Sequence, residues 1–257
     1  MHAIRHVAAI ACLMAIAQSA SAQAVITQNS ALAGNVTPGD AAGFPITITQ
    51  PGSYKLMSNL VVPAGTGGIE IKSDNVTLDL NGFTIAGPTT CTRTTATMAV
   101  TCSTTTGGYS NVGVKLNATG GMATVRNGSV QGFMIGVFGD YGWLNVDNLS
   151  VKFNSYMGVA LTMGGTLSNS RVQYNGSYGV NVTGSAINRV DVSYNGGFGI
   201  YGDRMSPVSD STVSYNKGIG VRESTLKGVT LINNAGGNTY ITYSLGGNYN
   251  SATSSSF

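Results

Sequence analysis

Charge is scarce in this chain of 257 residues: Asp, Glu, Lys and Arg make up 9% of it, with 13 basic against 10 acidic side chains. The net charge of +3 gathers into no basic stripe with interleaved aromatics, so nucleic acid is not an expected partner. Histidine is rarer still, and both His2 and His6 lie at the very start. They flank Arg5 and precede an apolar run over residues 7–17 and the small-residue site Ala20-Ser21-Ala22, a pattern that reads as a secretory signal peptide cut after Ala22. The run is shorter than the roughly 20 apolar residues that span a bilayer, and no other segment could cross one, so membrane insertion is not expected. Cleavage would leave a secreted or periplasmic chain without histidine, with 12 basic residues against 10 acidic ones. Of three cysteines, only Cys91 and Cys102 would remain. In an oxidising compartment they are expected to pair, closing a short loop worth about 2–3 kcal/mol on the chain-entropy estimate.

What the chain does have is glycine, at 36 residues, within a sequence that is 42% hydrophobic and too apolar to stay disordered. It also has a repeat. VQYNGSYGV (172–180) returns as VSYNGGFGI (192–200) and VSYNKGIGV (213–221). Aligned on the glycine, the phrase runs through Gly113, Gly136, Gly158, Gly179, Gly199 and Gly220, a period of 20–23 residues that marks a solenoid. Asn154, Asn175, Asn195, Asn216 and Asn234 form a second column, read as a hydrogen-bonded ladder. Asn238 replaces the glycine in the last coil, which suggests a left-handed backbone there.

Apolar residues alternate with polar ones inside each repeat. Val151, Val172, Val192, Val213 and Leu231 should point inward, and so by parity should Phe153, Tyr174, Tyr194 and Tyr215. About 21 residues at roughly 3.3 Å each make one turn of a three-sided coil, and coils stacked about 4.8 Å apart turn columns into ladders. A leucine-rich repeat would want regular leucines, and a hexapeptide helix a six-residue beat that is missing. The expected fold is an all-β, right-handed parallel β-helix of about seven to eight coils.

Through ITQPGSYKLMSNL (48–60), NVTLDLNGFTIAG (75–87) and the VxYN repeats, the chain resembles secreted bacterial parallel β-helix repeat proteins of the pectin-lyase-like superfold. That superfold hosts lyases, hydrolases, epimerases and adhesins, so the resemblance implies a shape and leaves the activity open. The expected organisation is a signal peptide (1–22), an extended leader (23–43) and N-terminal cap strands (44–66). The β-helix follows (67–245), with a Thr-rich disulfide-clipped loop protruding from one corner (88–110), and then a loose tail (246–257).

Carboxylates are too few for an obvious active site. A hydrolase needs two carboxyl groups about 5–9.5 Å apart, and a calcium-assisted lyase needs six to eight oxygens around the ion. The polygalacturonase paired-aspartate and Gly-His-Gly pattern and the Asp-Pro-His-Asp pattern of alginate epimerases are both missing. No metal site is expected, nor a cofactor, calcium entering only if the protein is a lyase. Column arithmetic sets Arg189 beside Asp210 and Arg171 beside Asp191, as cross-strand pairs or a polar groove for a sugar. A second cluster holds Asp203, Arg204, Arg222 and Glu223, with Glu223 in an inward column. Tyr201 and Tyr240 are candidates for stacking on sugar rings. The leading expectation is a polar surface that meets a polysaccharide or cell-surface glycan. The alternatives are a polysaccharide lyase or glycoside hydrolase using this sparse Asp/Arg set, and a structural or adhesive solenoid.

Overall fold

The computed structural model describes residues 23–103, 108–251 and 255–256, so the signal-peptide reading of 1–22 lies outside the described residues. The chain winds as a parallel β-helix with three faces. Face one carries nine parallel strands, from Ile46–Ile48 through Ile69–Ile71, Val112–Leu116 and Val180–Val182 to Thr239–Tyr240. Face two includes Gly165–Ser168, Ser185–Asn188 and Pro207–Ser209; face three includes Arg171–Gln173, Asp191–Ser193 and Thr212–Ser214. Two long strands, Met122–Gln131 and Trp143–Lys152, bend from face two into face three and join both into one sheet. The bends fall at Asn127 and Asn148, both in the left-handed region.

Face two runs from Ala24–Ile26 to Tyr243–Ser244, so the molecule has about ten turns rather than seven to eight. The additional turns lie upstream of the 88–110 insert, which separates Ile69 from its partner Val114 and breaks the period that revealed the later coils. Within 23–43 the chain contributes the strand Ala24–Ile26 and a single helix, Gln28–Ala33, whose N-cap Thr27 accepts from the Ser30 N–H. The outer edge of face one is blunted by two side chains. Asp40 Oδ1 accepts from the Thr47 N–H at 2.7 Å, and Thr37 Oγ1 donates to the Thr47 carbonyl and accepts from the Thr49 N–H. Backbone groups that would offer themselves to another strand are thereby satisfied.

Inside, the expected columns stack. Val114, Val137, Val159, Val180, Ile200 and Val221 are fully buried along face one, and Val151, Val172, Val192, Val213 and Leu231 along face three. The asparagine ladder is buried as well. Asn154, Asn175, Asn195 and Asn216 each donate from Nδ2 to the next Oδ1 at 2.9 Å, and Asn234 donates to Asn238 at 2.8 Å. Each accepting oxygen also takes the backbone N–H of the rung before it, and Asn195, Asn216 and Asn234 give their second amide proton to a valine carbonyl. Four-way satisfaction lets a primary amide sit in an apolar interior without penalty.

Three expectations about these columns change. The column glycines Gly136, Gly158, Gly179, Gly199 and Gly220 have no left-handed torsion. They are required because a Cβ at Gly136, Gly158, Gly179, Gly199 or Gly220 would stand 2.6–2.8 Å from a ladder amide nitrogen. Asn238 likewise is not left-handed; its side chain turns in, accepts from Asn234 and donates to Asn250. Phe153, Tyr174, Tyr194 and Tyr215 lie outside the core, half-buried, because each has φ of 54–61°, which breaks strand parity and swings the ring outward. There they stack at 5.3–5.5 Å, with planes within 22° of one another.

The Cys91–Cys102 disulfide forms, clipping the antiparallel hairpin Cys91–Arg93 and Val100–Cys102. Rather than protruding, the hairpin folds back along the corner between faces three and one. Arg93 lies 4.9 Å from the Tyr194 ring centre, and Cys102 and Val100 sit against Gly176 and Gly196. A Cβ on either glycine would approach the hairpin to 3.2 Å.

Candidate functional site

The left-handed residue at the corner between faces two and three recurs down the molecule as Asn81, Asn127, Asn148, Asn169, Arg189, Asp210 and Gly228. Asparagine is favoured there because its short amide tolerates this torsion. Along this corner runs an open groove of about 740 Å³, lined chiefly by Asn127, Asn148, Asn169, Arg171, Arg189 and Asp191, with Ser129 and Ser150 between them. Asn148 Nδ2 donates to Asn127 Oδ1 at 3.0 Å, whereas Asn169 Nδ2 donates to the Asp147 carboxylate at 2.6 Å.

Three of the four charged residues expected on this face line the groove. Arg171 and Asp191 pair as expected, Nε to Oδ2 at 3.4 Å. Asp191 further accepts from Gln173 Nε2 at 2.9 Å and Ser193 Oγ at 2.8 Å, so both its oxygens are engaged. Arg189 does not pair with Asp210. Its Nε donates to Asn169 Oδ1 at 2.8 Å, one coil up, while Asp210 accepts from Asn188 Nδ2 at 3.2 Å. The left-handed torsion at both residues turns their side chains away from the strand register that would have matched them.

The second cluster separates into local pairs. Asp203 caps a turn, accepting from the Gly184 N–H and Ser206 Oγ, and Arg204 lies 5.7 Å from the Tyr243 ring centre. Glu223 does not point inward: φ of 55° places it on the surface, where it pairs with Arg222 at 2.9 Å. The hydrogen bond that Arg222 Nε donates to Glu223 raises the pKa of the guanidinium above its ordinary value. Tyr201 and Tyr240 flank Arg222, 4.9 and 5.3 Å from its guanidinium, so the space between the rings is filled by the protein itself. Tyr201 also packs against Tyr178 and Phe198.

Sequence reasoning missed Asn127, Ser129, Asn148, Ser150 and Asn169 as groove residues. Its signal, the column Asn148, Asn169, Arg189 and Asp210, could have been extended upward, but the insert shifts the numbering by one long step between Asn81 and Asn127. Among the described residues no group of three or more His, Cys, Asp or Glu side chains is placed to share a metal ion, and no helix is long and apolar enough to cross a membrane.

No protein-family model matches the chain, and no curated protein matches it in sequence. Among solved structures it is similar to the A-module of the mannuronan C-5 epimerase AlgE4 of Azotobacter vinelandii, with a TM-score of 0.52 and 13% identity over 82% of this chain and 67% of that one. The A-module of AlgE6 from the same organism aligns at 15% identity over 80% of this chain and 66% of that one, with a TM-score of 0.33. The chain thus spans about two thirds of each neighbour. At this identity the likeness concerns the fold: the chain is a parallel β-helix of the architecture that the pectin-lyase-like resemblance implied.

Proposed function

We propose that the protein is a secreted, noncatalytic β-helix that binds an extended polysaccharide chain along the groove between faces two and three. One observation carries the reading: successive coils repeat a side-chain amide or guanidinium at one exposed corner, in a groove parallel to the helix axis. Rungs about 4.8 Å apart offer polar groups at a spacing close to one sugar unit of an extended chain. Amides and guanidinium groups are the donors and acceptors that hydroxyl-rich ligands require. The neighbouring fold belongs to an enzyme named for mannuronan, an analogy that supports polysaccharide as the ligand class without assigning an activity. The signal-peptide reading of residues 1–22 and the disulfide support an extracytoplasmic location.

A binding role fits better than hydrolysis because Asp191 is the sole acidic residue lining the groove, and its oxygens already serve Arg171, Gln173 and Ser193. Two carboxyl groups flanking one bond are what glycoside hydrolysis needs. Tyr201 and Tyr240 stand apart from this reading, since Arg222 lies between them. Incubation with neutral and uronate-containing polysaccharides, with and without calcium, should return intact polymers by mass spectrometry, while affinity rises with oligosaccharide length up to about five sugars, one per lining rung. Unsaturated or water-added fragments would assign catalysis instead, and the loss of either product in Asp191→Ala would locate it.

A further inference from the structure

We infer that Arg189 selects a carboxylate-bearing sugar at one position of the groove, so that the site reads a single acidic unit beside neutral ones. The inference rests on the binding reading above and adds a ligand class and a residue to it. Upstream of Arg189 the corner residues lining the groove are uncharged: Asn127, Asn148 and Asn169 present amides, with Asp79, paired to Arg126, behind Asn127 and Asp147 behind Asn169. Arg171 is matched by Asp191 across the strand pair. Arg189 is different. It is exposed, and its one hydrogen bond among the described residues leaves from Nε to Asn169, which orients the guanidinium plane while the two terminal amino groups keep no protein partner. A guanidinium held by one edge presents the fork that binds a carboxylate through two parallel hydrogen bonds. Two guanidiniums and one carboxylate line the groove, which leaves one positive charge unmatched, and it belongs to Arg189.

The backbone gives an independent argument. Arg189 has φ of 52° at a corner where the four preceding coils use asparagine. A long side chain is disfavoured in that conformation, which asparagine tolerates better. A residue that local stability would not choose, aimed into a groove, points to a role in recognition.

The variant that tests this restores the column: Arg189→Asn. It should fold with an unchanged or higher melting temperature and an unchanged circular dichroism spectrum. Calorimetric titration with β-1,4-linked mannohexaose and with β-1,4-linked hexamannuronate separates shape from charge, because the two differ in their carboxyl groups. The wild type should bind the carboxylated sugar about tenfold more tightly, a gap of about 1.4 kcal/mol. That preference, read as the ratio of the two affinities, should shrink in 0.5 M NaCl and vanish in Arg189→Asn. A sulfated hexaose bound as tightly as hexamannuronate would overturn carboxylate selection in favour of general anion attraction. Equal wild-type affinity for both sugars, or a preference that survives in Arg189→Asn, overturns the inference and leaves the groove reading in place. Failure of the wild type to bind either sugar overturns both.

Discussion

At Gly179 the backbone torsion would accept any residue, yet a methyl group there would stand 2.6 Å from Asn195 Nδ2 and from Val192 Cγ1. Gly179→Ala is therefore expected to lower stability by roughly 2–3 kcal/mol, through overpacking rather than torsional strain, read as a reduced midpoint in urea. Asn195→Ala removes the partner of a buried amide on each side and should cost about 3 kcal/mol in the same measurement. These two columns were legible in the sequence because each repeats through the later coils, the glycine giving way only at Asn238. The direction of the aromatic column was not, since a left-handed residue after Val172, Val192 or Val213 resets the in-and-out alternation, and tyrosine carries no signature of that torsion.

Single elements show the same division. The hairpin was legible from its two cysteines, but its resting place was encoded elsewhere, in the residue following each ladder asparagine. That position reads Ser155, Gly176, Gly196, Lys217 and Ala235; Cys102 and Val100 lie against the two glycines, where a Cβ would also stand 2.2–2.3 Å from a carbonyl oxygen of the preceding coil. Reduction and alkylation should remove about 3 kcal/mol of loop-closure stabilisation and open the hairpin to protease, while the β signal in circular dichroism persists. On the strand Ile69–Ile71, Glu70 gives a second test. Burial alone would raise its carboxyl, but the hydrogen bond from Asn117 and the ion pair with Lys72 outweigh it and hold the group below its ordinary 4.5. A lowered folded value means that this stabilisation is complete above pH 4.5 and is lost as pH falls through the still lower folded value. Below pH 4.5 the melting temperature of the wild type should therefore fall more steeply than that of Glu70→Gln.

For the whole molecule, stability is expected to be a sum over neighbouring coils, which makes the ends decisive. Asp40→Ala would uncover the Thr47 N–H at the edge of face one and should appear as concentration-dependent self-association in light scattering, with little change in monomer secondary structure. The solenoid itself followed from periodicity, whereas the upstream turns and the Asp40 cap did not, because neither repeats. The asparagine ladder carries one more consequence. Every Nδ2 donates toward the C-terminal neighbour and every Oδ1 accepts from the N-terminal one, from Asn154 down to Asn238 and on to Asn250. A coil inserted upside down would set oxygen against oxygen or amino group against amino group. Side-chain amides thus act as a one-way ratchet on assembly, and the rod has a head and a tail that a single atom can distinguish.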